Sequence, residues 1–260
     1  MRENEKIKQM SHARDAFGFW KIDKPHRIDP PQTPSDFEKL PFLNDEEKAL
    51  GAAMLKKFLG EMSGWGLGKG ELPAQERIYF QSSIGGLCVD PMSYEAYFKF
   101  YERLVCLLTG LDNNDEIMQA TTHKKGIDAT AKRNDPEVRR RLRNALLICF
   151  GIATERNEKF WIRMMATTST QTEPDDTGSY LMSAEKAAML SHPESSVWTD
   201  EEGLVLQFTF AVIRSEMTDA LWDRCMALWG EKETIRYMLW IGHYVSMMMC
   251  MNTLTRRKEW

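Results

Sequence analysis

The sequence lacks paired cysteines. It contains five cysteines in 260 residues, and no C-x-x-C pair occurs. A dithiol redox centre, a cysteine-based zinc site and a disulfide scaffold are therefore not expected. Because most of the cysteines stand among apolar residues, as in LLICFG and MMMCMN, they are interpreted as reduced core thiols of a cytoplasmic protein. The five are Cys88, Cys106, Cys149, Cys225 and Cys250.

Long apolar runs and an excess of basic charge are also missing. No segment reaches the roughly 20 apolar residues of a membrane span, and the N-terminus contains no apolar stretch of signal-peptide length. The 38 acidic and 34 basic residues are spread evenly and give a net charge of -4. We therefore expect a soluble, unprocessed chain that binds neither a membrane nor nucleic acid.

Alternating strand patterns are absent too, whereas helical spacing of apolar residues recurs along the chain, so the fold class is predicted to be all-α. Residues 21–44 contain five prolines among charged residues and are predicted to form an extended arm without a regular element. We expect an N-terminal arm at 1–44 and a single all-α domain at 45–260. The predicted helices span residues 45–62, 73–84, 93–110, 112–132, 135–153, 155–165, 180–190, 198–216, 218–229 and 231–254.

Two helix starts have clear capping signals. Asp135 stands before Pro136, and Thr199 stands three residues before Glu202, the spacing of a capping box. The basic run RRRLR at 139–143 follows the first of these starts. It is interpreted as a solvated helix face, with a phosphate-binding patch as the alternative.

The last predicted helix carries three polar side chains in the apolar run WIGHYVSMMMCMNTL at 240–254. His243 lies in the middle of an apolar stripe and is either a neutral core histidine bonded to a backbone carbonyl or a general acid or base in a pocket. Tyr244 and Asn252 either join helices by hydrogen bonds or stabilise charge on a substrate oxygen. Because a second row is also apolar, the helix is expected to be central. The stripe comprises Trp240, His243, Met247, Cys250 and Leu254, and the second row comprises Ile235, Met238, Leu239, Gly242, Met249 and Asn252.

Other candidate residues are less distinctive. His123 lies in the polar context ATTHKKG and is interpreted as a surface residue, with a site role as the alternative. The five histidines show no H-x-x-x-H spacing, so no metal site is expected. Glu158 and Arg163 flank Trp161 and are either solvated or part of a site. Phe160, Trp161 and Met164 form either a core wall or the wall of a ligand pocket.

Residues Thr199 to Leu254 resemble the carboxymuconolactone decarboxylase and alkylhydroperoxidase D-like superfamily. The resemblance lies in an acid-rich helix start, a T-D-x-x-W helix containing Trp222, the acidic turn GEKE, and a G-x-Y…N register formed by Gly242, Tyr244 and Asn252. It extends back to about Pro136, with Trp161 in the family's tryptophan position. The resemblance implies an alkylhydroperoxidase D-like helical bundle that assembles into trimers or hexamers, with active sites among the helices.

Two departures from the family pattern change the expected chemistry. The C-x-x-C of its peroxidases is missing, and in the Y-E-W-x-x-H segment of its decarboxylases Phe160 and Met164 replace the glutamate and the histidine. The resemblance therefore implies an altered, cofactor-free lyase, isomerase or cyclase that acts through an enolate. Its substrate would be a small, largely apolar aromatic or polyketide-like acid, of the kind found in secondary metabolism.

In that hypothesis His243 moves the proton, and Tyr244 and Asn252 stabilise developing charge on oxygen, with Glu158 as a further catalytic candidate. The substrate-binding candidates are Phe160, Trp161, Arg163, Met164, Trp240, Met247 and His123. A non-catalytic ligand-binding or assembly protein of the same fold is the competing interpretation. A peroxidase using a single cysteine is a third, and it is disfavoured because Cys149 and Cys250 are expected to be buried.

Overall fold

The structure, a computed structural model, describes residues 30–31, 33–64, 85–110, 135–156 and 183–254, except for the side chains of 58–64 and 184. These residues form helices and connections and no strand, which confirms the all-α prediction for the described part. The helices are the 3-10 helix Pro34–Lys39, α1 Asp45–Gly64, α2 Pro91–Thr109, α3 Pro136–Glu155, α4 Ala184–Ala188, α5 Asp200–Arg214 and α6 Asp219–Leu254. Among them, no helix is long and apolar enough to span a bilayer. The helices predicted at 73–84 and 112–132, and nearly all of the one at 155–165, lie outside the described residues.

Both predicted capping signals operate. The Asp135 carboxylate accepts hydrogen bonds from the backbone N–H groups of Glu137 and Val138, at 2.8 and 3.2 Å. At the start of α5 the Glu202 N–H donates to Thr199 Oγ1 at 3.3 Å, and the Thr199 N–H donates to the Glu202 carboxylate at 3.0 Å. Each cap satisfies backbone donors that the first helical turn leaves without partners.

A single glycine interrupts α6 where the sequence predicts two helices. Gly230 has φ 70° and ψ 173°, so the helical conformation stops there and resumes at the next residue. A backbone with this positive φ strongly favours glycine. The Thr234 hydroxyl donates to the Gly230 carbonyl at 2.8 Å and anchors the first turn after the break.

The chain contacts group into two compact units, and the first contains described residues 30–31, 33–58, 85–94 and 248–254. Here the expectation of an arm without a regular element is wrong for Pro34–Lys39, which forms the 3-10 helix. The Asp36 carboxylate starts this helix by accepting from the Thr33 N–H at 2.9 Å. Phe37 is fully buried because Gly51 lets it approach α1: a Cβ atom at Gly51 would lie 2.3 Å from Phe37 Cε1.

The second unit contains described residues 95–110, 135–156 and 183–247, together with the backbone of 59–64. Helix α3 is its centre, because all seven residues from Leu147 to Ala153 are buried. Helix α5 runs parallel to α3, with Arg143 near Glu202 at one end and Glu155 bound to Arg214 at the other.

Helix α6 runs parallel to α3 as well, and α2 runs antiparallel to α6. Helices α3 and α6 are parallel because the residue numbers of their contacts increase together. Helices α2 and α6 are antiparallel because the residue numbers increase along one helix as they decrease along the other. The α3–α6 contacts join Arg140 to Glu233, Asn144 to Tyr237, Ala145 to Trp240 and Cys149 to Tyr244; the α2–α6 contacts join Tyr97 to His243 and Tyr101 to Trp240.

The prediction that the last helix is central is wrong. Tyr237 and Ile241 are buried, but Ile235, Met238 and Leu239 are exposed on the other face. The described helices of this unit contact α6 through its Tyr237 and Trp240 side. Helix α3 takes the central position because it contacts both α5 and α6.

Candidate functional site

His243 lies in the interior of the second unit, with 4% of its surface exposed. Its ring stacks with Tyr97 and Tyr101 of α2, at centroid distances of 4.9 and 5.1 Å and interplanar angles of 23° and 25°. Trp240, one helical turn earlier on α6, lies 5.7 Å away at 22°. Three aromatic rings thus lie nearly parallel to the imidazole, an arrangement common for ring pairs in protein cores.

Two further rings complete what we call the aromatic cage: Tyr97, Phe100, Tyr101, Trp240 and Tyr244 around His243. The Tyr244 ring meets the imidazole edge to face at 5.6 Å, and the Phe100 ring lies 6.2 Å away. Phe100 is 45% exposed, so it forms the boundary of the cage with the solvent.

Hydrogen bonds hold the cage side chains in place. Trp240 Nε1 donates to the Ala145 carbonyl at 3.1 Å, and the Tyr97 hydroxyl donates to the backbone carbonyl of His243 at 3.1 Å. The Tyr244 hydroxyl bonds to the sulfur of Cys149. The rings are therefore fixed to α3 and to the α6 backbone, and none of these bonds involves a nitrogen of the imidazole.

Neither imidazole nitrogen of His243 has a hydrogen-bond partner within the described ranges. The interpretation of His243 as a core histidine that donates to a backbone carbonyl is therefore wrong as far as the carbonyl groups of the described residues are concerned. The carboxylate or carbonyl that usually orients a catalytic histidine is not seen there either. Unpartnered buried polar groups are uncommon and costly, and functional sites are one place where they persist.

Burial lowers the pKa of His243 from 6.5 to about 4. The neutral imidazole is therefore the form present at neutral pH, because desolvation disfavours the charged form. In this form one nitrogen is a free acceptor and the other a free donor. His243 can accept a proton in the free protein, but it does not carry one to donate as an acid.

Two neighbouring groups stay protonated. Burial raises the pKa of the Cys149 thiol to about 12 and raises the pKa of Tyr244 well above its ordinary value. Cys149 is buried, as expected, and is not a thiolate, so it is a poor peroxidase nucleophile. The expectation that Cys250 is also buried is wrong, because this residue is exposed.

A second group of polar side chains, the charged cluster, joins α3, α5 and α6 about two turns away from His243 along α6. Its centre is the Arg140 guanidinium, which donates to Glu201 at 2.5 Å and to Glu233 at 2.8 Å. Glu201 accepts further bonds from Asn144 at 2.7 Å and Trp229 at 3.1 Å, and Glu233 accepts from Tyr237 at 2.6 Å. The charged cluster comprises Arg140, Asn144, Glu201, Trp229, Glu233 and Tyr237.

The charged cluster fixes the ionisation of Arg140 and Tyr237. The carboxylates bound to Arg140 raise its pKa, and Glu137 contributes most. Burial raises the pKa of Tyr237. A permanently charged guanidinium and a protonated phenol cannot exchange protons at neutral pH. The cluster thus joins helices, and neither interpretation of the run at 139–143, a solvated face or a phosphate patch, describes Arg140.

Sequence reasoning missed this cluster, although part of its signal was available. Arg140 and Asn144 are four residues apart on one helix, as are Glu233 and Tyr237 on another. Polar pairs at this spacing share a helix face and mark a polar contact with a neighbouring helix. Which helix supplies the opposite charge depends on packing that the spacing does not reveal.

The remaining predicted site residues fall into three groups. Trp240 and Tyr244 lie in the aromatic cage with His243, and Met247 is half-buried one turn further along α6. Asn252 is half-buried and belongs to the first unit. Six candidates lie outside the described residues: His123, Glu158, Phe160, Trp161, Arg163 and Met164.

No group of three or more histidine, cysteine, aspartate or glutamate side chains suited to a metal ion occurs within the described ranges. No protein-family profile, no curated protein and no solved structure matches this chain.

Proposed function

We propose that this chain is a cofactor-independent enzyme and a divergent relative of the carboxymuconolactone decarboxylase and alkylhydroperoxidase D-like superfamily. It acts on a small, largely apolar aromatic or polyketide-like acid. The reaction is a decarboxylation or a related lyase, isomerase or cyclase step through an enolate. The all-helical fold agrees with the superfamily, and the residues 199–254 quoted above carry the resemblance.

The observation that supports catalysis is that no described residue forms a hydrogen bond with the imidazole of His243. A neutral imidazole with a free acceptor nitrogen is a proton acceptor, and burial among rings removes the water that would compete for the proton. A purely structural histidine is expected to have a partner for at least one nitrogen. His243 is therefore the proton carrier in this proposal.

Tyr244 has the second role. Its hydroxyl stays protonated, and its ring meets the imidazole edge to face. A protonated phenol that exchanges its bond to a weak sulfur acceptor for one to an enolate oxygen would stabilise the developing negative charge. Trp240 and Tyr101 form apolar walls beside the same position.

The test is turnover of a panel of aromatic and polyketide acids, followed by carbon dioxide release and product mass. We expect His243→Ala to lose at least tenfold in rate, since a positioned acid or base typically contributes about 100-fold or more. His192→Ala, at an exposed histidine of the same unit, is the matched control and should retain full activity. Undiminished turnover in His243→Ala would remove the assigned role.

The competing function is a non-catalytic ligand-binding or assembly protein. It is favoured by the lack of an orienting partner on His243 within the described ranges, because a catalytic imidazole is usually held by one. If the whole panel gives neither carbon dioxide nor any product, while ligands still bind, this second function replaces the first.

Homo-oligomer formation is part of both proposals. Ile235, Met238 and Leu239 form an exposed apolar row on α6, and rows of this kind often mark protein contacts. Size-exclusion chromatography with light scattering tests the expected trimer or hexamer. Met238→Glu should shift the protein towards the monomer, whereas Arg236→Glu, on the same helix, should not.

A further inference from the structure

We propose that the acid substrate enters the aromatic cage together with one proton, which His243 takes up and then transfers to the carbon that loses carbon dioxide. This inference rests on the proposed function and specifies how the site accepts its substrate. It resolves a difficulty: decarboxylation needs an acid to protonate the product carbon, and the free protein holds His243 neutral.

In this proposal the imidazole of His243 is the group that neutralises the substrate carboxylate. Both nitrogens are buried and free of partners within the described ranges, so an entering carboxylate oxygen finds an N–H donor without displacing another bond. A carboxylate beside a neutral imidazole would bury one net negative charge, whereas a carboxylate beside an imidazolium buries none. The second arrangement is strongly preferred where water is excluded.

The described residues whose rings contact the His243 imidazole are aromatic and carry no carboxylate or amine. Tyr97 and Tyr101 of α2 and Tyr244 of α6 are the titratable groups whose rings contact the imidazole, and Cys149 of α3 lies behind Tyr244. Burial is the cause of the lowered pKa of His243. An anion placed against the ring acts in the opposite direction and restores the affinity of the imidazole for a proton.

The chemical step then balances. The bond between the carboxylate carbon and its neighbour breaks, carbon dioxide leaves, and the electron pair passes to an adjacent carbonyl group as an enolate. The imidazolium proton moves to the former carboxyl-bearing carbon, which returns His243 to the neutral form. Each turnover therefore consumes one proton from solvent, taken up when the next substrate binds.

The experiment measures proton uptake without turnover. Benzoate has no carbonyl group beside the carbon that bears its carboxylate, so it cannot form the enolate and serves as an inert acid probe; benzamide is its neutral counterpart. Isothermal titration calorimetry at pH 7 in phosphate and in Tris, whose ionisation enthalpies differ, gives the number of protons bound. We expect about one proton per benzoate and about none per benzamide.

His243→Gln is the decisive variant, because a glutamine retains hydrogen-bonding capacity but does not titrate. It should keep benzamide binding and lose the proton uptake with benzoate, whereas His192→Gln should behave as wild type. Circular dichroism melts would show that both variants fold.

Benzoate binding without proton uptake would overturn the inference, since another cation would then neutralise the acid. Uptake that persists in His243→Gln would also overturn it, since the proton would then lie on another group or on the acid itself. Absence of binding by either probe would overturn it as well. The proposed function fails separately: a panel without turnover, combined with proton uptake at His243, would leave an acid-binding protein, whereas turnover without uptake would remove only the proton-coupled step.

Discussion

The aromatic cage and the charged cluster share helix α6, but their central polar groups differ in the hydrogen bonds that they make. In the cluster, the Arg140 guanidinium lies within 3 Å of two carboxylates, those of Glu201 and Glu233. In the cage, the His243 imidazole has no polar partner on either nitrogen within the described ranges. Asn144 Oδ1 in the cluster also has no partner there, so the contrast lies between the charged groups of the cluster, which are paired, and the imidazole, which is not.

The paired charges of the cluster contribute to stability, whereas the imidazole of the cage is available for a functional role. A network of paired charges sets the register of helices but resists any change of protonation. An unpartnered imidazole reduces the stability of the fold, and it remains free to respond to an incoming group. Four predictions test this contrast, from the largest expected effect to the smallest.

Removing the central cation should have the largest effect. Arg140→Ala leaves Glu201 and Glu233 as partly buried carboxylates without their main partner, and we expect the free energy of unfolding to fall by about 3–5 kcal/mol. Urea denaturation at pH 7 measures it. Lys232→Ala, at an exposed residue of α6, is the control and should change stability by less than about 0.5 kcal/mol. A loss below 1 kcal/mol in Arg140→Ala would mean that the network contributes little.

Acid should reduce the stability of the folded protein through the protonation of His243. In the unfolded chain His243 gains a proton as the pH falls through about 6.5, whereas in the folded protein its pKa is about 4. The unfolded state thus binds more protons between these values, and stability falls with falling pH. We expect wild type to lose about 3 kcal/mol more than His243→Gln between pH 7 and pH 4. Parallel curves for the two proteins would show that His243 titrates normally.

An apolar residue in place of the imidazole should stabilise the protein. His243→Leu removes two buried nitrogen atoms that have no hydrogen-bond partner among the described residues. We expect a gain of about 1 kcal/mol at pH 7 after allowing for the lost ring stacking. Thermal unfolding measures it. His192→Leu, at an exposed position, should give no gain. Strong destabilisation by His243→Leu would indicate that the imidazole nitrogens form hydrogen bonds in the folded protein.

An exposed ion pair should have the smallest effect. Arg214 binds Glu155 at 2.5 Å at the ends of α5 and α3, but the Arg214 side chain is largely exposed. Solvent screening should leave the pair with a coupling close to the error of the measurement. A double-mutant cycle with Arg214→Met and Glu155→Gln, repeated in 1 M salt, would measure the coupling. A coupling as large as the effect of Arg140→Ala would mean that burial is not what distinguishes the charged cluster.

Local signals in the sequence were reliable predictors of the helices. Asp135 and the Thr199–Glu202 pair start α3 and α5 where predicted, because a cap depends only on residues within one turn. Gly230 interrupts α6 at the predicted position for the same reason. The 3-10 helix was missed because its proline-rich context favours an extended chain, while the burial of Phe37 against Gly51 depends on a residue outside that context.

Predictions that depended on neighbours were less successful. The sequence singled out His243 and Trp240 as sharing one face of α6, and both are buried there. It did not predict that Tyr97 and Tyr101 of α2 would stack on the imidazole, since apolar periodicity shows that a face is buried but not what it is buried against. For the same reason, an apolar surface all round led to the wrong prediction of a central α6.

The sequence by itself determined the helical class, the capped starts of α3 and α5, the break at Gly230 and the choice of His243 as the residue to examine. These properties follow from interactions between residues close together in the chain. Only the tertiary structure decided that α3 is the central helix, that Arg140 has carboxylate partners on two other helices, and that His243 has none within the described ranges. The ionisation state of a buried group depends on the helices packed around it, and packing brings together residues more than a hundred positions apart.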